Sequence, residues 1–455
     1  MQQDSGKKAG IGPARPAAGK GAVQDAERGA ERRNAHGALK GQAAPAGRGK
    51  PRGGTPAAEC AAGAEVPGKG AAEAAGCGGD QAAARGSGAE GSLHAGRSRL
   101  VFGPLSETVS DIDPARTVIV TEPEVRRLYG GGFPPCPLIE VPRGEAAKSL
   151  ASLEKLYGAF LEKELDRSST VLGIGGGTVS DLSGFAASTW MRGIDFGFVP
   201  TTLLAMVDAS VGGKNGVDFK NYKNLVGTFS EPRFVRFDVS LLDTLSPAEF
   251  ASGMAEVIKH AVIDSSGYLD FLEAECPDRG TLFGQGGGSP AVRRAKLEEL
   301  VRRSLVLKAS VVEEDEKEAG RRRVLNLGHT IGHAVEEVTG LPHGFAVAAG
   351  LASALRLGAL LAGFPEADAL RVLSLLDGWG LPSTLGAVFS PALRSLSTMG
   401  PLSELDGREA IARSLAADKK RIGSSLLFAL PHGIGDVRIE ALPLDDLREF
   451  AKVAE

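Results

Sequence analysis

VLGIGGGTVSDLSGF (residues 171–185) is an apolar run that ends in glycines and continues into a helix-forming segment. A strand that brings Gly175, Gly176 and Gly177 to the start of a helix can hold a pyrophosphate. Backbone N–H groups approach phosphate oxygens closely where no Cβ intervenes. The full dinucleotide fingerprint needs a third glycine at 178, where Thr178 stands. Taken alone, the stretch reads equally as a plain strand-to-helix turn. Asp181, one turn into the helix, can bond a ribose or fix the loop.

The flanking sequence repeats the alternation. Upstream, TVIVTE (117–122) is β-rich, PEVRRLYG (123–130) starts with a helix-initiating proline, PLIEV (137–141) is a second strand, and 145–165 carries apolar residues at helical spacing. Downstream lie IDFGFVP (194–200) and FVRFD (234–238). Strands alternating with helices predict a parallel sheet covered on both faces. After LSPAEF (245–250) the pattern turns helical, through 254–263, 291–312, 328–338, 345–362 and 366–378, and SLLFALP and VRIEAL (425–442) suggest a terminal hairpin. The expected fold is α/β: a Rossmann-like parallel-sheet domain over 99–243, then a mainly α-helical domain over 244–455, with the active site in the cleft between them.

Residues 1–98 differ from the rest. They hold 14 Lys+Arg against 9 Asp+Glu, about +5, which leaves 38 against 47 for the remainder. Ala, Gly and Pro dominate and little apolar material is available to bury, so a disordered extension is expected. A transit peptide fits poorly, with serine scarce and acids present, and so dilute a charge makes a poor nucleic-acid patch. With no signal core and no run of about eighteen apolar residues, a cytoplasmic chain without membrane or nucleic-acid partners is expected. Cys60, Cys77, Cys136 and Cys276 are scattered, as reduced thiols would be.

The chemistry-bearing residues gather in MAEVIKHAVI (254–263), RRVLNLGHTIGHAVE (322–336) and LPHGFAVAAG (341–350). Glu256, His329 and His343 make a carboxylate-and-imidazole set that leaves an open position on zinc. Spacing leaves rivals: His329 and His333 share a helix face, and His260 lies at i+4 from Glu256. Lys259, Lys308, Arg322 and Asn326 add a polar, cationic surround suited to an anionic, hydroxylated substrate. VPTTLLAMVDASVGGKNGVD (199–218) adds hydroxyls, a carboxylate and a second phosphate-sized loop. A dinucleotide and a metal facing one polyol phosphate is a redox arrangement.

DLSGFAASTWMRGIDFGFVPTTLLAMVDASVGGKNGVD, AEVIKHAVI and LNLGHTIGHAVE closely resemble the 3-dehydroquinate synthase family, within the sugar-phosphate cyclases, from about Leu100 to the C-terminus. The resemblance implies zinc (or cobalt) on Glu256, His329 and His343. It implies NAD on Glu122, Glu145, Lys148, Gly175, Gly176, Gly177, Asp181, Thr201 and Thr202. Lys259, His333, Lys214 and Asn224 are implied as catalytic groups. Asp208, Lys308, Arg322, Asn326 and one of Lys419 or Lys420 are implied as substrate contacts, with Arg192 reaching across a homodimer interface. The implied substrate is 3-deoxy-D-arabino-heptulosonate 7-phosphate. It undergoes transient oxidation, loss of phosphate, reduction by the same cofactor and aldol closure to 3-dehydroquinate, with no net redox.

Two departures stand out. The family's T-D-x-N-V appears as Thr121-Glu122-Pro123-Glu124-Val125, and its HGEAVA as His343-Gly344-Phe345-Ala346-Val347-Ala348 after a shortened loop. A related cyclase making 2-deoxy-scyllo-inosose or a valiolone is the alternative, but such substrates offer no carboxylate to Arg322 and Lys308. A catalytically silent paralogue is a further alternative, opposed by the intact zinc set.

Overall fold

The computed structural model describes residues 93–220, 222–284, 288–416 and 421–453. Strands β1 (Leu93–Ala95), β2 (Ser98–Phe102), β3 (Thr117–Thr121), β4 (Leu138–Glu140), β5 (Thr170–Gly175), β6 (Asp195–Pro200) and a later strand, Phe234–Phe237, form one sheet. Between β6 and that later strand the chain makes a separate hairpin of β7 (Lys214–Phe219) and β8 (Tyr222–Phe229), so Phe234–Phe237 is β9. The sheet order is β1-β2-β9-β6-β5-β3-β4, and every pair is parallel except β1 with β2. All residues of β3 and β5 are buried, as strands covered on both faces require. The described residues begin at Leu93, and β1 with Ser98 of β2 falls within the 1–98 segment expected as an extension. The remaining residues of that extension, 1–92, lie outside the described residues.

Helices α1 (Pro123–Tyr129), α2 (Leu150–Glu162) and α3 (Gly177–Thr189) make the crossovers. From β3 the chain runs outward to β4 and then returns to β5 on the other side. The crevice at the carboxyl ends of β3 and β5 is therefore a topological switch point, the standard place for a ligand in such sheets. Gly176 caps α3 immediately after β5, and Thr201 follows β6 with its N–H on the Gly175 carbonyl at 2.9 Å.

The helical part follows: α4 (Pro247–Asp264), α5 (Ser266–Glu275), α6 (Arg279–Phe283), α7 (Pro290–Glu314), α8 (His329–Thr339), α9 (His343–Ala362), α10 (Glu366–Gly378), α11 (Pro391–Arg394), α12 (Glu404–Leu415) and α13 (Leu444–Val453). An antiparallel sheet of β10 (Arg421–Ile422), β11 (Ser425–Gly433) and β12 (Asp436–Pro443) contains the expected hairpin. A capping box starts α4, Ser246 and Glu249 each bonding the other's backbone, with Pro247 at the first turn.

Helix α4 is buried continuously from Phe250 to Ile263, because α9, α5, α7, α10 and the Ala205–Ala209 turn surround it. A Cβ on Gly344 would lie 2.0 Å from the Ser252 carbonyl, and one on Gly350 1.9 Å from that of Gly328. Only glycine lets α9 approach α4 and α8 this closely. Helix α9 is long and apolar enough to cross a membrane by length and composition, although Arg356 interrupts its apolar run. Its burial against α4, α8 and β11 accounts for that composition.

Candidate active site

Two helix starts and one helix interior meet at a single point. His329 is the first residue of α8, His343 the first of α9, and Glu256 lies mid-α4. Glu256 Oε1 is 3.6 Å from His329 Nε2 and 3.4 Å from His343 Nε2. Among the described residues neither Glu256 oxygen has an aligned hydrogen-bond donor, although the Lys259 ammonium lies against Oε2. A fully buried carboxylate facing two imidazole nitrogens without donors is the environment a bound cation completes. These residues therefore fit a divalent metal. Each imidazole presents Nε2 inward, with Nδ1 held from behind by the Leu327 carbonyl (3.1 Å) for His329 and by Glu336 Oε2 (3.3 Å) for His343.

Burial alone would raise the Glu256 pKa, but Lys259 and the two imidazoles hold it well below the carboxylate range. Burial, then the Lys259 charge, pushes His329 well down. His343 resists the same burial, because Glu256 and Glu336 flank it and lift it to about 10.

The rival ligands separate. His333 is exposed on the cleft side of α8, its ring centroid 5.2 Å from that of His329. His260 lies near Asp208 and Glu256, within reach of a shared ion. On that side, however, the Lys308 ammonium contacts the Asp208 carboxylate and Lys259 contacts Glu256. Two cations there oppose a third. His260 is fully buried, both ring nitrogens lack partners among the described residues, and burial followed by Lys259 lowers its pKa to about 3.

Of the expected substrate groups, Asp208 and Lys308 lie beside Glu256, and Lys214, Asn326 and Arg322 gather around Glu318. Asp208 sits in a π-helical turn, Ala205–Ala209, and its carbonyl also receives Lys308. Lys214 contacts Glu318, which accepts from Asn326 Nδ2 at 2.6 Å. Arg322 is buried; its guanidinium donates to the carbonyls of Gly212 (2.7 Å) and Glu316 (2.6 Å) and has no carboxylate within 4 Å among the described residues, while its backbone N–H donates to Asp315 Oδ2 at 3.0 Å. Asn224, expected beside the departing phosphate, bonds Lys148 at 2.6 Å. Arg192 is exposed on a left-handed turn (φ 72°) after α3, with Met191 (φ 47°) before it. Lys419 and Lys420 lie outside the described residues.

On the nucleotide side, buried Lys148 reaches Asp181 Oδ2 at 2.7 Å and Glu145 Oε1 at 3.5 Å. Gly175 ends β5, Gly176 caps α3 and Gly177 opens it. Glu122 caps α1, half-buried, and burial raises its pKa. Thr202 accepts from the Ala205 N–H at 3.1 Å, and Thr201 is buried. Glu124 pairs with Arg127 at the surface.

Sequence reading missed Glu336, Glu318 and Lys223. Glu336 had a signal: seven residues after His329, it falls two turns along the same helix face.

Residues 138–252 match the family model described as 3-dehydroquinate synthase N-terminal, and 253–399 the one described as 3-dehydroquinate synthase C-terminal. The chain is 38% identical over 354 residues to a 3-dehydroquinate synthase of Rippkaea orientalis, covering 74% of this chain and 89% of the relative. It is 36% identical over 358 residues to that of Pyrococcus abyssi, covering 76% and 96%. Its fold resembles 2-deoxy-scyllo-inosose synthase complexed with carbaglucose-6-phosphate, NAD+ and Co2+ (TM-score 0.63, 24% identity, 79% of this chain and 97% of the other). It also resembles the Streptomyces hygroscopicus 2-epi-5-epi-valiolone synthase with NAD+ and Zn2+ bound (TM-score 0.64, 24% identity, 81% and 98%).

Replacing His260 separates a buried bystander from a ligand. His260→Leu is expected to keep wild-type metal stoichiometry and, by removing unsatisfied polar atoms, to gain on the order of 1–3 kcal/mol in chemical denaturation. In the wild type the unfolded imidazole takes a proton near pH 6.5, while the folded one does not until about 3. Stability from this group is thus present above 6.5 and lost as pH falls, so the variant's advantage widens on acidification. Loss of metal from this variant would make His260 a ligand.

Proposed function

The chain belongs to the 3-dehydroquinate synthase family, and we propose that its cleft runs that reaction with NAD and a zinc ion as resident groups. That reaction converts 3-deoxy-D-arabino-heptulosonate 7-phosphate to 3-dehydroquinate and phosphate. Glu256, His329 and His343 would hold the metal, and the α3 N-terminus with Asp181, Lys148, Glu145, Glu122, Thr201 and Thr202 would hold the dinucleotide. When bound, NAD supplies a transient hydride acceptor and zinc the Lewis acidity that eases loss of the hydroxyl proton. We assign residues 99–243 to the dinucleotide and 244–455 to metal and substrate.

One observation carries the choice of substrate. Arg322 is a buried guanidinium partnered only by carbonyls, and its Nε has no hydrogen-bond partner among the described residues. Lys308, also buried, lies nearby on α7. A substrate carboxylate neutralises Arg322 with bidentate geometry; a sugar phosphate lacking one leaves the charge unpaired. Lys214 stabilises the departing phosphate, while Lys259 and His333 orient the hydroxyls and carry protons beside the metal residues.

The proposal includes a homodimer in the cytoplasm, where Cys136 and Cys276 remain thiols. Arg192 points its charge outward beside exposed Met191, and Ser188, just before that turn, bonds Thr228 of β8 at 2.7 Å. Strand β8 exposes Tyr222, Leu225 and Phe229 and pairs only with β7 among the described strands. A second copy seated there would bring Arg192 to its neighbour's phosphate.

Phosphate release tests the substrate directly. With NAD and zinc, purified protein is expected to release phosphate from the seven-carbon keto acid and little from glucose 6-phosphate or sedoheptulose 7-phosphate. Leaving a buried cation unpaired costs roughly 3–5 kcal/mol, a discrimination of about a hundredfold or more. Preferential turnover of a substrate without the carboxylate would overturn the assignment.

Complementation tests the dimer. Arg192→Ala and His329→Ala are each expected to be nearly inactive. Mixed and allowed to exchange subunits, they should recover up to about a quarter of wild-type activity, since half the dimers then hold one complete site. No recovery despite demonstrated exchange would place Arg192 in its own subunit's site.

A further inference from the structure

We propose that Glu336 and Lys223 form a positioning arm for His343, tying the metal site to the nucleotide half of the molecule; this rests on the reading of His343 as a metal ligand.

An imidazole that ligates through Nε2 must carry its proton on Nδ1, and the acceptor behind Nδ1 fixes both tautomer and ring orientation. The two histidines receive that acceptor differently. His329 uses the Leu327 carbonyl, whose position the backbone sets. His343 uses Glu336 Oε2 at 3.3 Å, the end of a side chain that needs an anchor of its own. Lys223 supplies it, donating to Glu336 Oε1 at 2.6 Å. Among the described residues, Glu256 and Glu336 are the carboxylates paired with His343. Two residues beyond His343, Phe345 is packed into the core and offers the imidazole no acceptor.

The anchor comes from across the cleft. Lys223 is on β8, in the hairpin between β6 and β9, whereas Glu336 and His343 belong to α8 and α9. The same ammonium lies 3.8 Å from Glu145 Oε1, and Glu145 in turn neighbours Lys148 and, at 3.5 Å, the Thr178 hydroxyl at the start of α3. Asn224, next along β8, bonds Lys148. Two consecutive residues of one strand thus hold the metal side and the nucleotide side. Glu336 is only 10% exposed while Lys223 is 49% exposed, so the carboxylate end of the pair is held inside and the ammonium end meets solvent.

The test is zinc affinity by chelator competition on the full-length protein, with metal-free melting temperature as a check on folding. Glu336→Leu removes the acceptor at similar size and is expected to raise the zinc Kd about 10–100-fold. Glu336→Gln keeps an oxygen for Nδ1–H and should recover most of that loss. Lys223→Met should fall between them, and adding it to Glu336→Leu should cost nothing further, because both act through one contact. In the zinc-bound wild type, nitrogen NMR should find the His343 proton on Nδ1. The idea is overturned if Glu336→Leu binds zinc as the wild type does, or if the two substitutions act additively. If His343→Ala also keeps wild-type affinity, the ligand reading itself falls.

Discussion

A carboxylate with no exposed surface, Glu256, dictates the arrangement around it. An ionised group removed from water costs several kcal/mol unless other charges and dipoles replace the solvent. Lys259 one turn along α4 supplies one charge, and the two imidazoles present their Nε2 atoms to Oε1. The imidazoles reach it only because each opens a helix and because Gly344 and Gly350 remove the side chains that would hold α9 away. Packing of the helical part and geometry of the site are therefore one problem, solved by small residues at two crossings.

Charges from both halves of the chain meet over the cleft. Lys308 of α7 pairs with Asp208 in the turn after β6, Lys214 of β7 with Glu318, Arg322 with the Gly212 carbonyl, and Lys223 of β8 with Glu336. Most of these cations are satisfied by internal acceptors, so an anionic substrate exchanges partners with them. Arg322 differs in that its guanidinium touches only carbonyl oxygens, with Glu318, Asp208 and Asp315 acting on it from farther off, so a substrate carboxylate would be its first direct ionic partner.

Much of the fold was legible because buried parallel strands leave continuous apolar runs, as TVIVT and TVLGIG do. The β7–β8 hairpin was not, since residues from Tyr222 to Phe229 are mostly exposed and lack an alternating pattern. Nor was β1, whose three residues follow a polar tail. For the site, spacing alone could not choose among His260, His329, His333 and His343. His260 and Glu256 share one helix, and only the crossing of α4 by α9 shows which imidazoles face the carboxylate. Glu336 lay inside a quoted motif, yet its partners are Lys223, far away in sequence, and a histidine on the next helix.

The central claim is that Glu256, His329 and His343 hold one metal ion between the nucleotide crevice and the cationic cleft. Anomalous scattering at the zinc edge from crystals of the NAD-bound protein addresses it without reference to turnover. The account predicts a single peak about 2.0–2.2 Å from a Glu256 oxygen, His329 Nε2 and His343 Nε2, with His333 and His260 outside the coordination sphere. A peak bound by Asp208 and His260, or by the His329–His333 pair without His343, would contradict it.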